Sequence, residues 1–134
     1  MCAGHLSTGR SGEDIAALFL LQKGWTILER NVRFADGELD LVAQDKDTLV
    51  FVEVKTRSTD ARGEPGQAVG RAKQMRLIRA ASRYLSAHKA WDRPCRFDVI
   101  SIVIRNKVPE ITHWEDSIDV GHTMGRRHSA WQPW

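Results

Sequence analysis

The stretch GELDLVAQDKDTLVFVEVK, Gly37–Lys55, decides the fold. Two apolar runs flank a polar tip, Gln44-Asp45-Lys46-Asp47, in the manner of a β-hairpin. Side chains alternate between the faces of a strand, so Glu53 and Lys55 share one face and Val52 and Val54 the other. With the tip centred between Lys46 and Asp47, Asp40 stands directly opposite Glu53. Residues opposed in this way have Cβ atoms roughly 5 Å apart. Like charges there destabilise unless something neutralises them, and a divalent cation held by carboxylate oxygens would do so. A one-residue slip would send Asp40 to the other face. Asp40 would then merely end a strand, and Glu53 and Lys55 would be a solvated ion pair. The run Leu49-Val50-Phe51-Val52, continued by Val54, has no polar face and suits a strand buried on both sides. Charges at the end of such a strand call for a partner or a function.

Outward from the hairpin, Ala35-Asp36-Gly37 is a turn signal, and Trp25–Phe34 before it reads as a strand. A helix precedes that strand. Ser11 is its expected N-cap, Glu13 and Asp14 lie in its first turn, and Gly24 stops it after Lys23. Its expected apolar stripe is Ile15, Leu18, Phe19 and Gln22. After the hairpin, residues 56–70 hold Gly63, Pro65, Gly66 and Gly70 and read as a loop able to cover the charged strand end.

A second helix is predicted from Arg71 to His88, with Met75, Ile78, Ala81, Ser82 and Leu85 inward, helped by Leu77 and Tyr84. Arg76, Arg79 and Arg83 fall on one outer stripe. With Arg71, Lys73 and Lys89 they form a basic ridge containing no acid, a surface suited to phosphate. A solvated helix face is the alternative. Arg96–Ile104 is a strand, Asn106-Lys107 a turn and Pro109–Trp114 a return strand. The order helix, three strands, helix, two strands predicts an α/β fold, a mixed sheet with helices packed on it.

At 134 residues and 42% hydrophobic content the chain can fill one core. Residues 1–10 are expected as a flexible N-terminus, 11–114 as one domain, and 115–134 as a tail whose Trp131 and Trp134 are expected to dock on it, with docking on a symmetry mate or stacking on bases as the alternatives. No apolar run approaches the roughly 20 residues needed to span a membrane, and no signal-peptide pattern opens the chain. Cys2 and Cys95 show no metal spacing and read as reduced thiols of a cytoplasmic protein. The net charge is +3, with an acidic first half and a basic second half. That division suits a cation bound in one place and a polyanion in another. The five histidines form no metal motif, and His88 and His113 read as surface or packing residues.

Glu13, the segments Gly37–Ala43 and Phe51–Arg57, and Arg96-Phe97-Asp98-Val99-Ile100 together resemble the uncharacterised bacterial YraN-type family over about residues 9–114. That family is placed in the restriction-endonuclease-like superfamily, beside archaeal four-way-junction resolvases. The resemblance implies a mixed β-sheet core flanked by helices. It implies the superfamily's Asp, gap, Glu-x-Lys signature at Asp40, Glu53 and Lys55, joined by Glu13 from the first helix. Leu39 stands where restriction enzymes often carry proline, and Asp14 where resolvases often carry arginine.

The implied activity is a metal-dependent endonuclease hydrolysing DNA phosphodiester bonds, branched DNA among them. Asp40, Glu53, Glu13 and the Val54 carbonyl would serve Mg²⁺ or Mn²⁺, and Lys55 the attacking water or the transition state. Arg57, Gln67, Arg71, Lys73, Arg76, Arg79 and Arg83 would contact nucleic acid. Glu38 is a weaker contributor, further along the same face as Asp40. A homodimer is what junction resolution would require. A non-catalytic nucleic-acid-binding module and an RNA nuclease are the alternatives.

Overall fold

The computed structural model describes residues 10–58 and 69–118. The expected tail residues Trp131 and Trp134, Cys2 and most of the loop after the hairpin, Gln67 included, lie outside the described residues. Five strands form one sheet in the order β1-β2-β3-β4-β5: β1 (Thr26–Phe34), β2 (Gly37–Asp45), β3 (Thr48–Ser58), β4 (Cys95–Arg105) and β5 (Val108–Trp114). The first three strands are an antiparallel meander, β4 runs parallel to β3, and β5 returns antiparallel. A helix α2 (Arg71–Ala87) makes the β3–β4 crossover, and α1 (Arg10–Gln22) precedes the sheet. This is the predicted mixed α/β architecture.

Each helix has its own core. Leu77, Ile78, Ala81, Tyr84 and Leu85 of α2 meet Leu49, Phe51 and Phe97 on one face of the sheet. Ala16, Ala17 and Leu20 of α1 meet Leu41, Val50, Val52, Ile100 and Ile102 on the other. The β3 run is therefore buried on both faces, as its continuous apolar pattern requires.

The α1 stripe differs from expectation. Leu18 is 56% exposed and Gln22 is exposed, while Gly12, Ala16, Ala17 and Leu20 face inward. Small residues let this helix lie close to the sheet. A Cβ on Gly12 would sit 2.1 Å from Thr56 Oγ1, so any larger residue there requires the Thr56 side chain to turn away. The helix already includes Arg10, so Ser11 lies inside its first turn and is not the cap. At the other end Gly24 adopts φ +92°. The N–H of Trp25 reaches the Leu20 carbonyl at 3.1 Å and that of Gly24 the Leu21 carbonyl at 2.9 Å, a Schellman closure. In α2, Met75 and Ser82 are only half-buried and Ala80 is buried instead.

The turns follow their residues. Asn106 and Lys107 both have positive φ, as a two-residue type I′ hairpin between Arg105 and Val108 demands. Packing continues past Trp114, since the Ser117 N–H donates to the Phe97 carbonyl and Ile118 joins the α2 core. No helix among the described residues is long and apolar enough to cross a membrane.

Candidate metal and nucleic-acid site

The hairpin register decides where the charges meet. β2 and β3 pair from Asp45–Thr48 at the tip to Leu41–Val52, which centres the tip between Lys46 and Asp47. One step further Asp40 faces Glu53. There the Val54 N–H donates to Asp40 Oδ2 at 2.9 Å, so a side chain takes a donor at the end of the strand pairing. Both carboxyls are buried, Asp40 9% and Glu53 8% exposed. Burial, then the Glu53 charge, pushes the Asp40 carboxyl up to about 7. The nearness of the Glu53 side chain and the Glu38 charge add to this, and the Val54 N–H opposes it.

Two lysines attend the pair. Lys55 lies two residues beyond Glu53 on the same strand face. Its ammonium is held below the ordinary lysine range by burial and then by Arg57, against the pull of Glu53. Lys73, from the first turn of α2, places Nζ 3.0 Å from Glu53 Oε2. Sequence reading gave Lys73 only a substrate contact. Its reach into the carboxylate pair follows from where the crossover sets α2, which local pattern does not reveal.

The remaining expected residues divide. Glu13 sits on α1, which covers the opposite face of the sheet. Among the described residues no three His, Cys, Asp or Glu side chains are gathered closely enough to hold a metal by themselves. Arg71, Arg76 and Arg79 stand exposed along α2 with Lys73. Arg83 is committed to the β1–β2 turn, with Nε 2.7 Å and Nη2 3.2 Å from the two oxygens of Asp36. Arg57 lies beyond Lys55 on β3. Glu38 is exposed and 3.5 Å from Arg33.

A second buried acid escaped sequence reading. Asp98 is fully buried and accepts hydrogen bonds from Arg96, His113 and the Asp116 N–H. His113 is thus a packing residue whose side chain is 4% exposed, not a surface one. The signal was present, since Asp98 interrupts an otherwise apolar strand. His88 is exposed and stacks on Tyr84. Burial raises the Cys95 thiol to about 12, which makes it unreactive.

Two opposed carboxyls, one of them raised by burial and by the other's charge, make a donor set of hard oxygens with a lysine ammonium already against one of them. Such a set fits Mg²⁺ or Mn²⁺, which accept one or two carboxylates and complete their shells with water.

Comparison with known proteins gives a consistent relationship. The profile described as uncharacterised protein family UPF0102 matches residues 12–102. A UPF0102 protein of Nitratidesulfovibrio vulgaris is 43% identical over 128 residues, covering 96% of each chain. One of Syntrophotalea carbinolica is 48% identical over 116 residues, 87% of this chain and 94% of the relative. One of Symbiobacterium thermophilum is 54% identical over 94 residues, 70% and 80% of the two chains.

Proposed function

This chain belongs to the uncharacterised protein family UPF0102, and from its carboxylate pair we propose that it is a divalent-metal-dependent endonuclease acting on DNA. The observation that carries the reading is the buried, opposed Asp40–Glu53 pair with Lys55 beside it on the same strand face. This is the Asp, gap, Glu-x-Lys order of restriction-endonuclease-like nucleases, set on a mixed sheet.

Asp40 and Glu53 would hold the ion, with the Val54 carbonyl a further oxygen. Bound there, Mg²⁺ or Mn²⁺ would stabilise charge on the phosphoryl oxygens and make water more acidic. Lys55 would orient the attacking water and offset charge on the pentavalent phosphorus. Its ammonium is close enough to Glu53 for the two charges to act on each other. The exposed cations of α2 would bind the sugar-phosphate backbone and set the strand's direction.

A non-catalytic nucleic-acid-binding module is the second reading. It is favoured by one observation: the Lys73 ammonium already offsets the Glu53 charge, at 3.0 Å.

The deciding experiment incubates the protein with Mg²⁺ or Mn²⁺ and linear, forked and four-way-junction DNA, with matched RNA, beside Asp40→Asn and Lys55→Ala. Cleavage by the parent protein alone supports the site. Cleavage surviving in both variants rejects it. Binding without cleavage by any form selects the module. Preferential cleavage of the RNA would replace DNA as the substrate. A sedimentation measurement of the active form reads whether a homodimer carries two such sites.

A further inference from the structure

The nuclease reading leaves one feature unused. Between α2 and the β1–β2 turn lies a hollow of about 330 Å³, whose wall includes Arg33, Phe34, Glu38, Lys73 and Arg76. Gly37 lies beneath it. A Cβ there would come within 2.6 Å of the Arg76 carbonyl oxygen, so glycine sets how closely α2 approaches the turn. Beyond Phe34 a second hollow of about 520 Å³ is bordered by Ser82, Arg83 and Ser86. Phe34 borders both hollows, and it packs partly against the α2 core. It is therefore a ring fixed from below and accessible from two sides.

The first hollow adjoins the carboxylate pair. Lys73 lines the hollow and also pairs with Glu53, and the Glu38 charge is felt at Asp40. Cations outnumber acids along the track. Arg33, Lys73, Arg76 and Arg83 border the two hollows against Glu38, which lies 3.5 Å from Arg33. Asp36, at the same turn, is paired with Arg83 through two hydrogen bonds, so its charge is offset where it stands.

We propose that this track binds an unpaired strand of the nucleic-acid substrate, with one base stacked on Phe34 and its phosphates on Arg33 and Arg76. The proposal rests on the nuclease reading for its substrate and adds a single-stranded flank to it. The first hollow is near the lower end of ligand-pocket volumes, about 300 to 1,000 Å³, which suits one nucleotide and is too small for a duplex. An aromatic ring beside guanidinium groups is the pairing that single-strand binders use. Each stacked base there contributes roughly 1–3 kcal/mol, regardless of sequence.

The test measures binding in EDTA, so that cleavage plays no part. The probes are DNA and RNA duplexes with a single-stranded overhang carrying 2-aminopurine, beside blunt duplexes. The parent protein should prefer the overhang and quench the 2-aminopurine as its base stacks. Phe34→Leu, which keeps an apolar side chain in the core, should weaken overhang binding about 10-fold and abolish the quenching. It should leave blunt-duplex binding unchanged. Arg76→Gln, at an exposed position, should lower the salt slope by about one.

Equal effects of Phe34→Leu on overhang and blunt probes, or no quenching by the parent protein, overturn the proposal. So does a salt slope that Arg76→Gln leaves unchanged. The DNA and RNA arms show which strand is taken. If the overhang result holds but no form cleaves, only the nuclease reading fails. If Asp40-dependent cleavage holds while Phe34→Leu changes nothing, only the track fails.

Discussion

Asp40 and Asp98 lie on the two strands that flank β3, both buried, yet they sit in opposite electrostatic states. Asp98 accepts from Arg96 Nε at 3.0 Å and Nη2 at 3.2 Å, from His113 Nε2 at 2.8 Å and from the Asp116 N–H at 2.9 Å. Burial pushes its pKa up, but those hydrogen bonds outweigh burial and hold it below the usual carboxylate range. Lys23 Nζ lies 2.9 Å from His113 Nδ1, which leaves the Nε2–H to donate to Asp98. Asp40 has the Val54 N–H and a second carboxylate, and its pKa rises to about 7. Asp98 is a charge fully satisfied by the fold. Asp40 is a charge the fold leaves in need, which is the usual condition of a functional acid.

The largest expected effect tests the satisfied member. Asp98→Ala removes the buried partner of His113 and the nearest carboxylate of Arg96, whose side chain is only 20% exposed and keeps only the longer contacts to Glu115 at 3.5 Å and Asp45 at 3.7 Å. Deleting one partner of a buried ion pair typically costs about 3–5 kcal/mol. Chemical denaturation should show a loss of that size for Asp98→Ala and none for Asp40→Asn. Comparable losses in both would break the comparison.

The next effect is the pH dependence of Asp40. Its pKa is raised in the folded state, so its contribution is fully present below about pH 4, where the unfolded chain also keeps the proton. Between there and about 7 the unfolded chain gives up the proton while folded Asp40 retains it, and stability falls. Asp40→Asn does not titrate. Its stability relative to the parent protein should therefore grow across this range and reach about 1–3 kcal/mol by pH 8. A flat difference from pH 4 to 8 would place the strain elsewhere than in the carboxyl pair.

What was legible in the sequence follows the same division. The hairpin was readable from two apolar runs around a polar tip, but its register was not, because a one-residue slip fits the same local pattern; the pairing of Asp45 with Thr48 through Leu41 with Val52 selects the register centred between Lys46 and Asp47. Asp40 opposite Glu53 came with it. Lys73 was not readable as a partner of Glu53, since the crossover's packing, not local pattern, sets that 3.0 Å contact. The inward face of α1 was misjudged for a related reason. Hydrophobic periodicity points to Leu18, but Gly12 lies against Thr56 while Ala16 and Ala17 pack into the core beneath the helix. The Asp98–His113 contact depends on how β5 folds back beside β4, and an acid in an apolar strand announces only that some partner must exist.

Divalent ions should sharpen the contrast further. Millimolar Mg²⁺ should raise the melting temperature of the parent protein at pH 8 and much less at pH 5.5, where a proton occupies Asp40 and competes with the ion. At a concentration 100 times the dissociation constant the stabilisation would be about 2.7 kcal/mol. Asp40→Asn should lose most of it. A Mg²⁺ effect that persists in this variant would locate the ion elsewhere.

The smallest expected effect falls on Lys73, and its sign is informative. With its side chain 47% exposed, the Lys73–Glu53 pair is worth no more than about 1 kcal/mol to the fold, so Lys73→Ala should destabilise the metal-free protein only slightly. The cation nevertheless occupies the carboxylate that an ion would use. If Lys73 stands in for that ion, its removal should tighten Mg²⁺ binding a few-fold, because the ion no longer competes with an ammonium for Glu53. If Lys73 instead stays on Glu53 when the ion is bound, its removal should weaken Mg²⁺ binding through loss of positioning. Calorimetric titration of Mg²⁺ into both proteins at pH 8 separates the two. Tighter binding makes the Asp40–Glu53 pair a site that the apo fold neutralises provisionally, whereas Asp98 is neutralised permanently by groups with no competing use.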